Sequence, residues 1–498
     1  MARYRNRRAA RTWPQRALLA LNIGLVIACL GAAFGLSKVR ATLQSVPVVD
    51  VGSSLTQAVN VDEPRNILII GTDAFEGLSS EDPVVNGRNA GQHLADVIMI
   101  LRVDPKTGTA RLLSVPRDSR LELPDGSTQR INAATMLGNG PKSLVQTIKR
   151  NFGISIDNYV QVDFASFEKL VEVLGGVPVY FTTPVRDRTT GLYVDTPGCV
   201  RLDPHQALAY ARSRHFEFEF MGKWLTDGTG DLGRITRQQD FIKRAIRSAS
   251  DKGVRNPQTA IGIVDAAVGA VVLDDTLSVD VILQLLSQFR TFNPDDLVTN
   301  QVPTESAPRD GVAYQDVVWN QTLPLLEPFW GVDPAVGVQP RNVIVDVRGA
   351  GGDQDRANLV ASAFDARGFD AEAYTNRSGS GGVTITYGPA GRDAAVLVAR
   401  YLDVVPDLKL DESIVGNRVI LDVNGEVTGV RDEPKALEEL PQEFQPIPTT
   451  TTTSTVPPTT APVDPSAPTT TVPADGAPPD AAPPGVVPTD PERAAACR

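Results

Sequence analysis

Histidine and cysteine are scarce in this chain of 498 residues, which contains three of each. The histidines, His93, His205 and His215, are widely separated, and no Cys-x-x-Cys or Cys/His spacing typical of a metal site occurs. A Gly-x-Ser-x-Gly motif, which marks the nucleophile turn of many serine hydrolases, is also missing. The sequence therefore predicts neither a histidine-built zinc site nor a Ser-His-Asp hydrolase.

Basic residues are outnumbered, with 48 Lys and Arg against 59 Asp and Glu and a net charge of −11. A protein that binds nucleic acid usually carries a basic face over its whole domain. The N-terminal segment 1–16 is basic, but it is too short to fold alone. Nucleic acid is therefore not expected as a partner.

One long apolar run interrupts this polar composition, from Ala17 to Ser37. It carries no charge and is long enough to cross the hydrocarbon core of a bilayer as a helix. Six arginines precede it, whereas only Lys38 and Arg40 follow closely, so the basic side should stay in the cytoplasm. The sequence predicts a single-pass protein of the cell membrane, with 1–16 cytoplasmic, a transmembrane helix at 17–37 and the remainder extracytoplasmic.

Two other interpretations of this run remain open. A cleaved signal peptide has a shorter apolar core, and the stretch from Ala32 to Gly35 offers a weak cleavage site. The stretch from Val26 to Cys29 resembles a bacterial lipoprotein box, although the apolar run continues beyond Cys29. A retained anchor fits the length of the run better than either alternative.

Large apolar residues are almost absent from 446–498, where proline, threonine and alanine dominate. Such a segment cannot bury a core, so we predict a disordered tail that acts as a semi-rigid spacer or a glycosylated stalk. Residues 38–63 form a shorter predicted linker. Cys199 and Cys497 either pair in an oxidising compartment or stay free.

Two folded regions are predicted between the linker and the tail. The larger, 64–333, contains strand-like runs followed by helical ones, which indicates an α/β domain with a mixed sheet. The smaller, 341–429, shows the order β-α-β-β-α-β, which predicts helices on one side of a sheet. The smaller region contains no cluster of titratable residues that suggests a site.

Local signals define several elements of the larger region. The runs NILIIGTD, DVIMILRVD and TARLLS have strand character, and the turn Asp104–Gly108 predicts that the last two form an antiparallel hairpin. Asp163 is expected to cap a helix that ends at Gly175. Asp203 and Pro204 are expected to begin a short helix that leads to Arg212.

Charged residues collect at one predicted edge of the sheet. If the first strand is antiparallel to the second, Asp73 lies beside Asp96, and the hairpin brings Arg117 to the same edge. Neighbouring carboxylates repel unless a cation lies between them, and Mg²⁺ (or Mn²⁺) prefers carboxylate and phosphate oxygens. Taken singly, these residues could instead be a turn residue, a strand cap and a surface arginine.

The segment from Ala209 to Gln239 concentrates arginine beside a helix start that is marked by glycine. Arginine pairs bidentately with phosphate, and a helix N-terminus offers free N–H groups. Arg212, Arg214 and Arg234 therefore form a candidate anion clamp. The alternative is a solvated face on which these arginines pair with nearby acidic residues.

Seven motifs follow one another between Asn66 and Gln239: NILIIGTDA, ADVIMILRVDPKTG, LLSVPRDS, RINAA, VDFASFEKLVEVLGGVPV, LDPHQALAYARSRH and GDLGRITRQQ. In this order they resemble the LytR-CpsA-Psr family of membrane-anchored, extracytoplasmic glycopolymer transferases. The smaller region resembles the LytR C-terminal domain that is often attached to them.

The resemblance implies a phosphotransferase that moves a glycopolymer from a polyprenyl-pyrophosphate carrier to a peptidoglycan hydroxyl, assisted by Mg²⁺. The carrier, peptidoglycan and the membrane are the expected partners. The resemblance makes Asp73 and Asp96 the metal ligands and, with Arg117, the catalytic residues. Its pyrophosphate-binding positions fall on Arg117, Asn132, Arg212, Arg214, Arg234 and Gln238.

Alternatives to this function stay open at the level of the sequence. The same site could hydrolyse the pyrophosphate link, or the protein could bind lipid or wall without catalysis, as a regulatory protein. The apolar face of the helix after Asp163 is either a wall for the polyprenyl chain or ordinary core, and it comprises Phe164, Phe167, Val171 and Leu174. The insert FEFEFMGKWLTDGT is either a lid over the lipid or a surface loop.

Overall fold

The computed structural model describes residues 48–51, 54–56, 62–73, 94–251, 271–289, 292–333, 335–374, 379, 381–445 and 497. The predicted cytoplasmic segment 1–16, the predicted transmembrane helix 17–37 and all of the predicted tail except Cys497 lie outside these residues. Within the described ranges, none of the helices has the length and apolar character needed to cross a bilayer.

Many strands, most of them short, make up the larger region. In chain order, the described ones are β1 (Val48–Val49), β2 (Arg65–Thr72), β3 (Ala95–Asp104), β4 (Thr109–Ser114), β5 (Arg120–Glu122), β6 (Thr128–Arg130), β7 (Asn158–Val162), β8 (Val177–Phe181), β9 (Val185–Asp187), β10 (Leu192–Val194), β11 (Gly198–Leu202), β12 (Glu217–Phe220), β13 (Lys223–Thr226), β14 (Val272–Asp274), β15 (Val298–Gln301), β16 (Thr304–Ser306) and β17 (Gln315–Val317).

The described helices of the larger region connect and cover these strands. They are α1 (Gly140–Phe152), α2 (Phe164–Leu174), α3 (Pro204–Arg212), α4 (Asp231–Asp251), α5 (Val279–Gln288) and α6 (Trp319–Leu326). Short 3-10 turns span Ile131–Met136, Pro294–Asp296, Glu327–Trp330, Pro340–Asn342, Leu437–Glu439 and Gln442–Phe444.

A seven-stranded mixed sheet forms the centre of the larger region, in the order β1-β14-β7-β2-β3-β4-β15. Strand β3 is antiparallel to β4, as the hairpin turn at Asp104–Gly108 predicts, and it is also antiparallel to β2, whereas β2 and β7 are parallel. Smaller sheets pair β10-β9-β12-β13, β11-β8, β16-β17 and β5-β6. The predicted α/β class with a mixed sheet is confirmed.

Two helix starts predicted from the sequence are formed by side-chain caps. The carboxylate of Asp163 accepts a hydrogen bond of 2.7 Å from the Ser166 amide at the start of α2. Asp203 accepts one of 2.8 Å from the Gln206 amide at the start of α3. Gly175 ends α2 in the left-handed conformation, with φ of 66°. Glycine adopts this conformation without steric strain because it lacks a Cβ.

The two faces of the central sheet are buried by different partners. Leu68 and Ile100 point to a core that contains Ile148 of α1. The alternate residues Ile67 and Met99 point to the other face, where the side chains of α4 pack. Each fully buried aliphatic side chain contributes about 1.5–3 kcal/mol, so this alternation fixes which side of the sheet each helix covers.

The insert between Arg214 and Gly230 folds as the hairpin β12–β13. Strand β12 pairs antiparallel with β9, which adds the hairpin to a four-stranded sheet. The Cζ of Arg186 on β9 stacks 4.0 Å from the ring centroid of Trp224 on β13. The insert is therefore part of a sheet, and the hairpin does not contribute to the cavity described below.

The smaller region is a five-stranded sheet with two helices. Its elements are β18 (Ile344–Gly349), α7 (Gln354–Asp365), β19 (Asp370–Ala373), β20 (Thr384–Tyr387), α8 (Arg392–Tyr401), β21 (Asp407–Leu410) and β22 (Arg418–Val423). The strand order is β19-β18-β22-β20-β21. The sequence pattern missed β21, an edge strand of only four residues, most of which are exposed.

Buried charges join the smaller region to the larger region. Lys149 of α1 forms an ion pair with Asp370 of β19, and their side chains are 3% and 2% exposed. Burial lowers the pKa of Lys149, but Asp370 and Glu372 together have the larger effect and raise the pKa above its ordinary value, so the amine stays charged. Lys149 also donates to the Ser54 carbonyl at 3.0 Å. A second pair, between Arg418 and Asp346, extends this contact because Arg418 donates to the Arg150 carbonyl at 3.0 Å.

The described part of the predicted linker 38–63 packs with the larger region. Strand β1 pairs in parallel with β14 at the edge of the central sheet. Val51 and Leu55 are buried in the core that contains Ile148. These described residues of the predicted linker are therefore part of the fold of the larger region.

Cys199 and Cys497 form a disulfide, with their Cα atoms 5.4 Å apart. Cys199 lies in β11, which pairs with β8 of the larger region. The question that the sequence left open is settled in favour of pairing. Cys497 is thus fastened to the larger region.

Replacing Lys149 with methionine should lower the free energy of unfolding by about 3–5 kcal/mol, because Asp370 is left buried without its cation. Urea unfolding of the purified protein measures this change. The matched control is Lys169→Met, which breaks an exposed pair with Glu172 and should cost no more than about 1 kcal/mol. Equal effects of the two substitutions would contradict a structural role for the buried pair.

A pH dependence is expected from Asp157, which is buried at the start of β7. Burial raises its pKa to about 7, against the lowering effects of the Asn66 amide and of Arg102 and Arg65. The native state therefore keeps this proton when the unfolded chain, with a pKa of about 3.9, has lost it. The contribution of Asp157 to stability should be complete below about pH 4 and lost as the pH rises to about 7. Urea unfolding across this range should show that Asp157→Asn removes this slope, and an unchanged slope would contradict the assignment.

Candidate functional site

A cavity of about 880 Å³ lies between the central sheet and helices α2, α3 and α4. The charged and polar side chains that line it include Asp73, Asp96, Arg117, Asp163, Thr189, Thr190, Arg212, Arg214, His215, Arg234 and Gln238. Apolar side chains line the remainder, including Phe164, Phe167, Val171, Leu174, Phe241, Ile242, Ala245, Ile246 and Ala249. With the exception of Asn132, every site residue predicted from the sequence lines this one cavity.

The carboxylates of Asp73 and Asp96 reach the cavity from neighbouring strands. Thr72 is opposite Ala95 in the β2–β3 ladder, which shifts by one residue after Gly71. A Cβ at Gly71 would lie 2.9 Å from the Cβ of Val97, so only glycine permits this close approach of the two strands. The irregularity brings the residues that follow β2 beside the start of β3, as the sequence predicts for an antiparallel pair.

Arg117 lies just after β4 and pairs directly with Asp96. Its Nη1 donates to Oδ1 of Asp96, and its Nε lies 3.7 Å from Oδ2 of Asp118. Burial lowers the pKa of Arg117, but Asp96 and Asp118 raise it above its ordinary value. The guanidinium is therefore held in place and charged at the edge of the sheet.

Arg212 and Arg214 lie on either side of the end of α3. The guanidinium carbon of Arg212 stacks 4.5 Å from the ring centroid of Phe164, an arrangement that orients the planar group. Nε of Arg214 lies 3.1 Å from Oδ1 of Asp231. Both arginines thus have an apolar or acidic neighbour that fixes them while they face the cavity.

Arg234 is the most deeply buried cation of the site, with a side chain that is 5% exposed. Its Nη2 donates to the Asp96 carbonyl at 2.9 Å and lies 3.0 Å from Oδ1 of Asp231. Burial lowers its pKa; Asp231 and Asp96 offset part of this effect, whereas Arg117 and Arg214 lower the pKa further. An anion bound among these arginines would relieve their mutual repulsion.

Gln238 lies one turn after Arg234 on the same face of α4. Its Nε2 donates to the Ala211 carbonyl at 2.9 Å, which joins α4 to α3 beside Arg212. The spacing of four residues between Arg234 and Gln238 explains why both line the cavity. The motif GDLGRITRQQ thus acts through one face of a helix.

Asn132 occupies a different position from the other predicted residues. It lies in the 3-10 turn Ile131–Met136 and is 4% exposed. Its backbone N–H donates a hydrogen bond of 3.3 Å to the Arg117 carbonyl. It does not line the cavity. A contact between Asn132 and pyrophosphate stays a prediction, and the observed contact supports the backbone of Arg117.

Asp231 is a site residue that the sequence indicated only as a partner for neighbouring arginines. Its carboxylate lies between Arg214 and Arg234 at the first turn of α4. Acidic residues often stabilise helix N-termini, so an aspartate at this position does not by itself indicate a role in holding the arginines of a site. The spacing Asp231-x-x-Arg234 was the available signal, since residues three apart are neighbours on a helix.

The apolar part of the cavity is formed by two helices. All four named residues of the α2 face line the cavity, and they also pack in hydrophobic clusters, where Val171 is 1% exposed. Their use as a wall for a polyprenyl chain stays a prediction. The opposite wall comes from α4, which the sequence analysis did not identify as an apolar wall. The residues Phe241, Ile242, Ala245, Ile246 and Ala249 nevertheless stand at helical spacing.

The cavity runs along α4 from its polar start to its apolar end. Arg234 and Ala249 are fifteen residues apart on this helix, which corresponds to about 22 Å at a rise of 1.5 Å per residue. The cavity therefore suits an elongated amphiphile with an anionic head and a hydrocarbon chain. The charged side chains that line the cavity are four arginines and the carboxylates of Asp73, Asp96 and Asp163, and Asp231 pairs with two of these arginines.

The donor set also bears on the predicted magnesium site. Among the described residues, no group of three or more His, Cys, Asp or Glu side chains is arranged to hold a metal. Asp73 and Asp96 line the cavity as two carboxylates. This set fits Mg²⁺, which often binds through one or two carboxylates and completes its shell with water and phosphate oxygens.

Known proteins of one family resemble the larger region of this chain. A family model described as the LytR_cpsA_psr family matches residues 37–325, which is more than half of the chain. The chain is 32% identical over 252 residues to "Probable cell wall biosynthesis protein LcpB" of Corynebacterium glutamicum, covering 48% of this chain and 57% of the relative. It is 29% identical over 206 residues to "Polyisoprenyl-teichoic acid--peptidoglycan teichoic acid transferase TagU" of Oceanobacillus iheyensis, covering 40% and 56%.

The matches therefore span a little over half the length of these curated relatives. A solved structure described as "LytR-Csp2A-Psr enzyme from Actinomyces oris" is 24% identical, covers 56% of this chain and 97% of that one, and superposes with a TM-score of 0.43.

Substituting Ala249 with tryptophan should fill the apolar end of the cavity without touching the arginines. We expect dodecyl phosphate to bind at least about tenfold more weakly, since each methylene displaced costs about 0.8 kcal/mol. Inorganic pyrophosphate should bind as before. Isothermal titration calorimetry measures both affinities.

The matched control is Thr236→Trp, at an exposed position of the same helix that does not line the cavity. It should leave both affinities unchanged. A wild-type affinity of Ala249→Trp for dodecyl phosphate would show that the hydrocarbon chain does not occupy this part of the cavity.

Proposed function

This chain belongs to the LytR-CpsA-Psr family, and on that basis we propose that it is a membrane-anchored, extracytoplasmic phosphotransferase. Its substrate would be a glycopolymer linked to polyprenyl pyrophosphate, and its acceptor a hydroxyl group of peptidoglycan. The observation that carries this proposal is the composition of the cavity, with arginines at the start of α4 and apolar residues along its end. A pyrophosphate joined to a long hydrocarbon chain has this same division.

The pyrophosphate would lie among Arg117, Arg212, Arg214 and Arg234. Guanidinium groups pair with phosphate oxygens in bidentate geometry, and an anion there would oppose the effects of burial, Arg117 and Arg214, which lower the pKa of Arg234. The hydrocarbon chain would follow α2 and α4 to Ala249. Binding of the chain would thus position the phosphates at the charged edge of the sheet.

The reaction would be a phosphoryl transfer. The acceptor oxygen forms a bond to the phosphorus that carries the glycopolymer, the anhydride P–O bond breaks, and polyprenyl monophosphate leaves with the electron pair. The acceptor hydroxyl loses its proton, and the product is a phosphodiester. Negative charge grows on the bridging oxygen as the anhydride opens, and fixed arginines stabilise it without reorganisation.

Mg²⁺ would be held by Asp73 and Asp96. When bound, the ion would neutralise charge on the phosphate oxygens. Arg117, which pairs with Asp96, would position that carboxylate as well as contact phosphate. The other stabilisation of the phosphate charge would come from the arginines described above.

The proposed location outside the cytoplasm is supported by two features. The apolar run 17–37 with its basic N-terminal side predicts an anchor with this orientation. The disulfide between Cys199 and Cys497 is of a kind that persists in oxidising compartments and is rare in the cytosol.

The identity of the product tests the proposed reaction. The purified protein would be incubated with Mg²⁺, a polyprenyl-pyrophosphate-linked glycan and peptidoglycan, and the products analysed by mass spectrometry after digestion of the wall. We expect a glycan joined to peptidoglycan by a phosphodiester. Release of free glycan alone would identify a hydrolase, and substrate binding with no turnover would identify a regulatory or scaffold protein.

Arg234→Ala should lower kcat by about 10²–10³-fold, since it removes a donor that faces the developing charge. The matched control is Arg244→Ala, which removes another buried arginine of α4 that pairs with an acidic residue one turn away, Asp240. Arg244 does not line the cavity, so its loss should affect stability with little effect on kcat. Equal loss of kcat in both variants would argue against a role for Arg234 in the reaction.

A further inference from the structure

A buried carboxylate connects two segments that border the polar part of the cavity. Asp187 ends β9, and the residue is fully buried. Burial raises its pKa, but hydrogen bonds from Thr189 and Ser213 outweigh this effect and lower it below its ordinary value. The side chain is therefore ionised at neutral pH, although it is not itself part of the cavity lining.

The first oxygen of Asp187 organises the turn between β9 and β10. Oδ1 accepts hydrogen bonds from the Thr189 amide at 2.8 Å, the Thr189 hydroxyl at 2.6 Å and the Thr190 amide at 3.3 Å. Thr189 and Thr190 both line the cavity. This oxygen thus fixes two residues of the cavity wall.

The second oxygen holds the backbone between the arginines at the end of α3. Oδ2 accepts hydrogen bonds from the Ser213 hydroxyl at 2.7 Å, the Arg214 amide at 3.1 Å and the His215 amide at 2.9 Å. Arg212 immediately precedes this segment and Arg214 is part of it. The direction in which both guanidinium groups leave the backbone is therefore set by Asp187.

Ser213 is also fixed from the opposite side. Its carbonyl accepts a hydrogen bond of 2.7 Å from Nη2 of Arg237. Arg237 pairs with Asp227 at 3.0 Å, and both side chains are 2% exposed. The segment is held between a buried anion and a buried cation, so Arg212 and Arg214 have little freedom to separate under their mutual repulsion.

We propose that Asp187 is a positioning residue for pyrophosphate binding, which acts through Arg212 and Arg214. This inference rests on the proposed function, since it assumes that these arginines hold the phosphates of the substrate. A guanidinium that is displaced by about 1 Å loses its bidentate geometry, and such displacements can reduce rates by about 10²-fold. Asp187 supplies the order that prevents this displacement.

The chain contains a matched control for Asp187. Asp274 is buried to 2% exposure and forms the same kind of turn, with Oδ1 accepting from the Thr276 amide at 2.8 Å and the Leu277 amide at 3.0 Å. Its Oδ2 accepts from the Tyr159 amide at 2.8 Å. Asp274 is not part of the cavity lining, so its replacement tests the general effect of removing such a carboxylate.

The experiment compares Asp187→Asn with Asp274→Asn in the full-length protein. Isothermal titration calorimetry would give the affinities for inorganic pyrophosphate and for farnesol, and thermal unfolding would give Tm. We expect both variants to lose stability, but only Asp187→Asn to bind pyrophosphate about 10-fold or more weakly. Its affinity for farnesol should stay at the wild-type value. In the transfer assay, KM should rise and kcat should fall, because Arg212 and Arg214 contact the substrate before and during the reaction.

Asp187→Asn with wild-type pyrophosphate affinity, or equal losses in the two variants, would overturn the inference. A wild-type protein that binds neither pyrophosphate nor farnesol would instead overturn the proposed function. If Asp187→Asn does not fold, Ser213→Ala is tested in its place, because it removes one hydrogen-bond donor to Oδ2 of Asp187. Its control is Thr276→Ala, which removes a hydroxyl donor to Oδ1 of Asp274. We then expect Ser213→Ala alone to weaken pyrophosphate binding by about threefold, and an unchanged affinity would overturn the inference.

Discussion

The buried guanidinium of Arg234 is the contact on which the polar part of the cavity depends. It connects the first turn of α4 to β3 through the Asp96 carbonyl and lies against Asp231 of its own helix. The desolvation of a cation at this depth is costly, so the surrounding acceptors must be in place. Because Arg234 is fixed, the start of α4 lies directly over the end of β2 and the start of β3. The neighbouring Gln238 then joins the same helix to α3.

The position of α4 also determines the apolar part of the cavity. A helix that begins with charged residues at the edge of the sheet and continues with Phe241, Ile242 and Ala245 gives one continuous surface of changing polarity. Helix α2 faces it with a second apolar wall. The site thus requires no separate domain for the hydrocarbon chain. The same packing that covers the sheet with α4 also leaves the groove, because small residues such as Ala245 and Ala249 do not fill the space between the helices.

The sequence predicted the parts of this site that depend on local signals. The Asp104–Gly108 turn predicted the antiparallel hairpin of β3 and β4, whereas the antiparallel pairing of β2 with β3, which brings Asp73 and Asp96 to one edge, was assumed for the predicted site. The caps at Asp163 and Asp203 marked the starts of α2 and α3. The contact between Asp187 and Ser213 joins residues 26 positions apart, and no periodicity or turn rule encodes it. The same holds for the contact of Lys149 with Asp370, which depends on how two domains dock.

The disulfide changes the interpretation of the Pro/Thr-rich tail. A spacer extends a protein only if one of its ends is free to move away. Here Gln445 belongs to the smaller region, and Cys497 is bonded to Cys199 on β11 of the larger region. The smaller region is itself docked on α1 through Lys149 and Arg418. Gln445 and Cys497, the described residues on either side of 446–496, are therefore both attached to one folded body, and this arrangement does not favour the predicted spacer.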